Sequence, residues 1–319
     1  MKTKLLLTTT ALLLNACLFD SGDDESTQVE DHSDSSKVVD NTPIDSGAKI
    51  DTAMVSLVKK AYYVGSDYKV GALYSINLQD TSMNETELSI YHDSKVFSFN
   101  QEVYVLEAYG ADNIIKIDPE VDTVVYQASF AENANPYDIV PISSSQGLVA
   151  FYGVDYLGVI DLVDGSEAAQ IDISTYAPEG GAAHASDIEI VGDVAYVVLQ
   201  PSDANWNFVN SQILQVNLTT LEITDALEIN YKQCGSIAQS QGSLLASCVG
   251  TSQWNDDWTV ETSDENGAVV SIDFAAKKVE SLKSEKDLNG KPSGALFSSE
   301  NYLFTVRETI SAKPLNTLT

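Results

Sequence analysis

Three groups of residues in this chain have types and spacing suited to chemistry. The first group lies in five Gly-, Asn- and Ser-rich stretches that recur along the chain. Asp67 sits in 65–71, Asp112 in 108–113, Asp155 and Tyr156 in 152–156, and Asp203 and Trp206 in 200–208. The fifth stretch, 250–258, holds Trp254, Asp256, Asp257 and Trp258. Each has an aspartate, and the last two carry all three tryptophans. An indole face can stack on a sugar ring while Asp and Asn bond its hydroxyls, or it can anchor a protein partner. Equally, the same rings can pack down and pin their own long loops. Oxygen-rich loops also suit Ca²⁺, which takes several oxygen ligands. No full EF-hand-type ligand run exists; Asp287-Leu288-Asn289-Gly290 is a fragment of one.

The second group is Cys234 and Cys248, with Ser240-Gln241-Gly242 midway between them. A hairpin centred on Gln241 sets the two cysteines opposite each other. Directly opposed Cβ atoms lie ~4.5–5.5 Å apart, close enough to bridge after modest adjustment. A disulfide closing such a loop stabilises by about 3 kcal/mol; the alternative is two buried thiols. The third group is His184, which follows Gly180-Gly181 and opens a strand. It is either a catalytic or ligating group or a hydrogen-bonded structural one. No zincin, nucleophile-elbow, Walker or dinucleotide motif is present. Catalytic and metal-binding residues therefore stay unassigned, and no cofactor is identified beyond Ca²⁺ as a candidate.

A further cysteine has a different setting. Lys2 and Lys4 precede an apolar run, Leu5–Leu14, that is too short for a mature membrane span. Leu14-Asn15-Ala16-Cys17 follows. This segment resembles the lipobox of bacterial lipoproteins. The resemblance implies a signal peptide over 1–16 and a lipid-modified N-terminal Cys17. Leu18 after the cysteine, rather than Asp, implies the outer membrane, on its periplasmic face or at the cell surface. Several acyl chains, at ~0.8 kcal/mol per buried methylene, make a stable anchor.

Residues 17–50 are rich in Asp, Ser, Glu and Thr. They have too little apolar surface to offset chain entropy, so they are expected to form a disordered tether. The whole chain has 47 acidic against 17 basic residues, a net charge of −30. Nucleic-acid binding needs the opposite sign, so it is excluded as a function class.

The loops need elements to hold them. From about residue 55 to the end, within a domain spanning 51–319, short apolar runs alternate with turn residues, an all-β pattern. One strand ends in Asp or Asn five times, at Asn77, Asp118, Asp161, Asn217 and Asp273, spaced 41, 43, 56 and 56 residues apart. Other strands recur around it, such as Val103-Tyr104-Val105 and Ala195-Tyr196-Val197 before it. Four strands in ~40–57 residues is the arithmetic of a propeller blade. The copies Val103-Tyr104-Val105 with Ile117-Asp118, and Ala195-Tyr196-Val197 with Val216-Asn217, resemble the YVTN-type β-propellers. That resemblance implies a fold more than an activity.

The reading is an all-β propeller of four-stranded blades, five complete, near 55–91, 94–131, 136–174, 184–229 and 233–283. A partial sixth starts at Pro292 and lacks its two outer strands. Such a pattern fits a truncated ring, or one closed with help from Met54–Lys59. Function is read as an envelope-anchored lipoprotein whose propeller binds a protein or carbohydrate through its loops. The alternatives are a metal-dependent propeller hydrolase or lactonase, and a non-catalytic envelope scaffold.

Overall fold

The structure, a computed structural model, describes residues 17–18, 60–99, 101–240, 242–254, 260–263, 266–297, 301–306 and 309–314. Nearly all of them lie in antiparallel strands and tight turns. Five sheets have four strands each and one has three.

Blade two consists of Ser94–Phe99, Glu102–Glu107, Asn113–Asp118 and Thr123–Ser129, hydrogen-bonded in chain order. Blade three repeats this with Pro136–Pro141, Gln146–Phe151, Tyr156–Asp161 and Glu167–Asp172. Ala185–Val191, Val194–Leu199, Asn210–Asn217 and Glu222–Lys232 form blade four. Blade five is Cys234–Ser240, Ser243–Cys248, Ala268–Asp273 and Lys278–Ser284. Its second-to-third connection carries an inserted hairpin, Ser252–Trp254 with Val260–Ser263.

In blade one, Lys60–Ser66, Gly71–Asn77 and Met83–Ile90 occupy positions two to four. The backbone of Cys17–Leu18 fills the first position, pairing with Tyr62 and Ala61, so the expectation of a complete blade within 55–91 is corrected: its first strand comes from far ahead in the chain, where two residues carry no strand pattern to read. Met54–Lys59, the expected closing segment, lies outside the described residues, as does most of the expected tether. The sixth sheet holds Pro292–Phe297, Asn301–Val306 and Thr309–Pro314. The last of these corrects the expectation that both outer strands are absent. Thr309–Pro314 pairs along Asn301–Val306 from Asn301 to Val306; its short, polar-interrupted run gives little apolar periodicity to read.

Burial explains the pattern of each strand. Second strands such as Val103–Leu106 and Leu148–Phe151 are buried on both faces and read as continuous apolar runs. Fourth strands such as Thr123–Ser129 lie mostly open to solvent and read as polar. The core consists of layers between neighbouring blades. One apolar cluster joins blades one and two, another two and three, a third three and four, and a fourth four and five. First strands of successive blades stand side by side and form the inner ring.

The recurring Asp or Asn has a shared structural role. Its Oδ1 accepts a backbone N–H inside the turn that follows: Gln79 for Asn77, Glu120 for Asp118, Val163 for Asp161, Thr219 and Thr220 for Asn217, and Ala276 for Asp273. Four residues on, each turn has a left-handed residue, at Thr81, Asp122, Gly165, Leu221 and Lys277. An Asx turn is the local reason for an Asp or Asn at that place in every blade.

Cys234 and Cys248 are directly opposed and joined by a disulfide, with Cα atoms 3.7 Å apart. The hairpin closes with Ser240 opposite Ser243, one residue off the symmetric register, and a bulge between Cys234 and Ser236 restores the opposition.

Candidate functional site

An antiparallel four-strand blade places its second-to-third loop and its exit to the next blade at the same end. All five expected loops therefore share one face of the propeller, and on that face the structure assembles a column of aromatic rings. Tyr137, on the first strand of blade three, stacks on Tyr152 at 4.7 Å between centroids. Tyr152, at the end of that blade's second strand, stacks on His184 at 4.4 Å and 18°. His184, just before blade four, stacks on Trp206 of the blade four loop at 5.1 Å and 15°. At the inner end the Lys95 ammonium lies 3.8 Å from the Tyr137 ring centroid. The column thus runs from the inner ring to the loop surface, across blades two to four.

Each member is fixed. His184 Nδ1 lies 2.6 Å from the Tyr152 carbonyl oxygen, so this nitrogen carries the proton and donates. Its Nε2, 3.0 Å from Ser202 Oγ, then accepts from that hydroxyl. Burial pulls the His184 pKa down, against the Tyr152 carbonyl and the Asp155 charge, which raise it. The imidazole is therefore neutral at pH 7. Tyr152 Oη donates to Gln200 Oε1 at 3.1 Å, and Gln200 Nε2 donates to the Cys234 carbonyl at 3.1 Å, tying the column to blade five. Gly181 allows the approach, since a Cβ there would lie 1.9 Å from the Ser202 carbonyl oxygen.

His184 is 4 % exposed and Trp206 is 63 % exposed. Both adopt left-handed backbone, with φ of 52° and 61°. A non-glycine residue held there stores about 1–3 kcal/mol of strain that the surroundings must hold in place. The Asp203 carboxylate supplies part of that hold. Its Oδ1 accepts from the Asn205 and Asn207 amides at 2.8 and 2.9 Å, and its Oδ2 from Asn207 Nδ2 at 2.9 Å. These bonds keep the Asp203 carboxyl below its usual range.

The other loop aspartates are engaged in the same way. Asp67 Oδ1 accepts from the Lys69 and Val70 amides. Asp112 holds the Asn133 and Asn135 amides, one on each oxygen, and so latches its loop to the next inter-blade connection. Asp155 does likewise with the Ala183 amide. Tyr156 stands apart from the column, edge-on to Phe151 at 5.4 Å. Trp254 is described by backbone alone, within the inserted hairpin, while Asp256, Asp257 and Trp258 lie outside the described residues. The Asp287 fragment forms a helix cap: its Oδ2 accepts from the Ser284 amide and hydroxyl ahead of Glu285–Leu288.

Reading by sequence did not find Tyr137, Tyr152, Gln200 or Ser202 as neighbours of His184. Tyr152 and Gln200 do border the loops, each just past a second strand, but the column itself is not a local pattern. Beneath it, the inner ring is stitched by acidic side chains. Asp138 Oδ2 accepts from the Ile188 amide of blade four, and Asp187 Oδ2 from the Ile237 amide of blade five, both at 2.7 Å. Burial pushes both carboxyls up, Asp187 the more because the Asp138 charge beside it opposes ionisation.

The buried Ser202–His184 pair has the atoms of a nucleophile and its base but, among the described residues, lacks the surroundings. Ser202 is 2 % exposed. Its own amide donates to Ala182, and the Asp203 amide donates to Asn207, so neither can hold an oxyanion. Among the described residues no group of three or more His, Cys, Asp or Glu is placed to hold a metal ion. The arrangement presents a rigid ring to solvent; its polar atoms serve to hold that ring.

No protein-family model matches the sequence, and comparison with curated proteins finds no match. Solved structures do match the fold. Hydrazine synthase of Kuenenia stuttgartiensis superposes with a TM-score of 0.61 at 14% identity, over 81% of this chain and 74% of that one. The propeller domain of Cps50 (Swd1) from Myceliophteria thermophila gives 0.57 at 10% identity, over 81% and 80% of the two chains. BamB from Moraxella catarrhalis gives 0.51 at 10% identity, over 80% and 81%. The fold is a β-propeller, and likeness at these identities carries the fold alone.

Proposed function

We propose that this chain is an envelope-anchored lipoprotein whose propeller binds a ligand through the face of its second-to-third loops, without chemistry. The observation that carries the reading is the outer end of the aromatic column. Trp206 is backed by a buried ring and held by a pinned loop, with its indole 63 % exposed. A large ring already immobilised loses little conformational freedom on binding, the usual property of an interface anchor.

Anchoring rests on Lys2, Lys4, the apolar run and Leu14-Asn15-Ala16-Cys17, which together resemble a lipobox signal. The tandem Tyr-Val and Ile-Asp strands support a YVTN-type relationship. The net charge of −30 fits a partner that is neither nucleic acid nor a strongly anionic surface.

The test is thermal unfolding of the mature chain against a panel of envelope polysaccharides, peptides and Ca²⁺. A ligand at 100 times its Kd stabilises by about 2.7 kcal/mol. The reading expects a midpoint rise with one of them that Trp206→Ala removes. An equal rise in the variant would overturn the assignment of this face, and a scaffold predicts no ligand for it at all.

A further inference from the structure

Resting on the loop-face reading above, we propose that the ligand is an extended, uncharged glycan whose successive rings stack on three aromatic tips: Tyr68, Tyr109 and Trp206. These residues sit in the second-to-third loops of blades one, two and four, on the same face. They are 69 %, 71 % and 63 % exposed, among the most exposed large side chains described.

Each tip is positioned by its loop. Ser66 Oγ accepts from the Tyr68 amide, and Asp67 caps the two amides after it. The Tyr109 amide donates to Asn135 Oδ1 at 3.1 Å, from the connection between blades two and three. Trp206 has its His184 backing and the Asp203 bonds described above. Tyr68, like Trp206, has left-handed backbone, with φ of 66°. Three loops of different length and sequence thus each present one ring.

The neighbours of these rings choose the ligand class. Asp67 and Lys69 flank Tyr68, Gly110 follows Tyr109, and Asn205 and Asn207 flank Trp206. The rings stand on three different blades with polar residues beside each, and Val70 and Val209 are the other exposed large apolar side chains described in those loops. A protein hot spot needs surrounding contacts that exclude water. A sugar ring needs one flat apolar face, with donors and acceptors at its edge. The acidic excess, 47 against 17, repels uronate or phosphate-bearing polymers. Three tips on separate blades favour a chain over a single sugar, because each added contact is made at high effective concentration.

The experiment is calorimetric titration of the mature full chain with cello-, xylo- and malto-oligosaccharides of increasing length, an array of other neutral glycans, a peptide library, and polygalacturonate as the acidic control. The inference expects a neutral glycan to bind, with affinity rising about tenfold or more from the shortest to the longest oligomer. Trp206→Ala and Tyr109→Ala each lower that affinity about tenfold, near 1.4 kcal/mol, and Tyr68→Ala lowers it less. Thermal melts confirm that the variants are folded, which the exposure of all three side chains favours.

Absence of binding to every neutral glycan overturns the inference, and so does affinity that is independent of length. A peptide or polygalacturonate that binds and is lost in Trp206→Ala overturns the uncharged-glycan class while leaving the loop-face reading in place. A neutral glycan that binds equally to all three variants overturns both.

Discussion

His184 shows how a single side chain is decided by what encloses it. Alone it has the chemistry of a base. Stacked between Tyr152 and Trp206 and bonded at both nitrogens, it is a spacer between rings. Replacing it with Ala removes the ring partner of the Tyr152 carbonyl, leaves Ser202 Oγ only its bond to the Asp203 carbonyl, and opens a gap under the indole. Urea unfolding should show a loss of about 1–3 kcal/mol, and Trp206 fluorescence should shift as the ring loses its backing. Asp112→Ala strips the acceptor from two amides at once, those of Asn133 and Asn135. The expected loss is again about 1–3 kcal/mol. A Trp206→Ala change should leave stability within ~0.5 kcal/mol, since an exposed ring buries little on folding.

At the scale of elements, two devices hold neighbouring strands. The Cys234–Cys248 bridge closes the first hairpin of blade five. The paired Cys234→Ser and Cys248→Ser variant should unfold about 3 kcal/mol more easily, and reductant should change the wild type alone. The inner ring makes stability depend on pH. Asp138 and Asp187 have folded pKa values raised by burial. Their contribution is full below the ordinary carboxylate pKa and is lost as pH rises through the raised folded values. Asp187→Asn removes the more perturbed group, so unfolding at several pH values should show a flatter curve over that window. An unchanged slope would mean that Lys95 neutralises the pair. Asp67, whose value is lowered by backbone amides, and Asp203, lowered first by the Asn207 side chain and then by backbone amides, act in the opposite sense, losing stability as pH falls.

For the whole molecule, the blades share apolar layers and none has a private core. Phe151 lies fully buried in the cluster between blades two and three. Phe151→Ala should cost about 3–5 kcal/mol and lower the unfolding midpoint of both blades together, which hydrogen exchange would resolve. The anchoring reading is checked by growth with labelled palmitate. Label should follow the wild-type chain into the membrane fraction and be missing from Cys17→Ser.

How much of this was legible beforehand follows from which interactions are local. The four-strand repeat and the opposed cysteines could be read because alternation, turn residues and hairpin symmetry act over a few residues. The Asp or Asn repeat was legible for the same reason, since an Asx turn bonds within its own four residues. The third strand of the sixth sheet was not, because its pairing partner rather than its own pattern defines it. The loop aspartates stood out as a set, yet sequence is silent on whether a carboxylate meets a ligand or a backbone amide. For Asp112 and Asp155 that amide belongs to a segment more than twenty residues away. The sequence by itself determined the repeated scaffold and which loops share a face. Only the tertiary structure decided that Tyr137, Tyr152, His184 and Trp206 form one column, because stacking needs adjacent blades to bring distant residues within about 5 Å, and no local period records that.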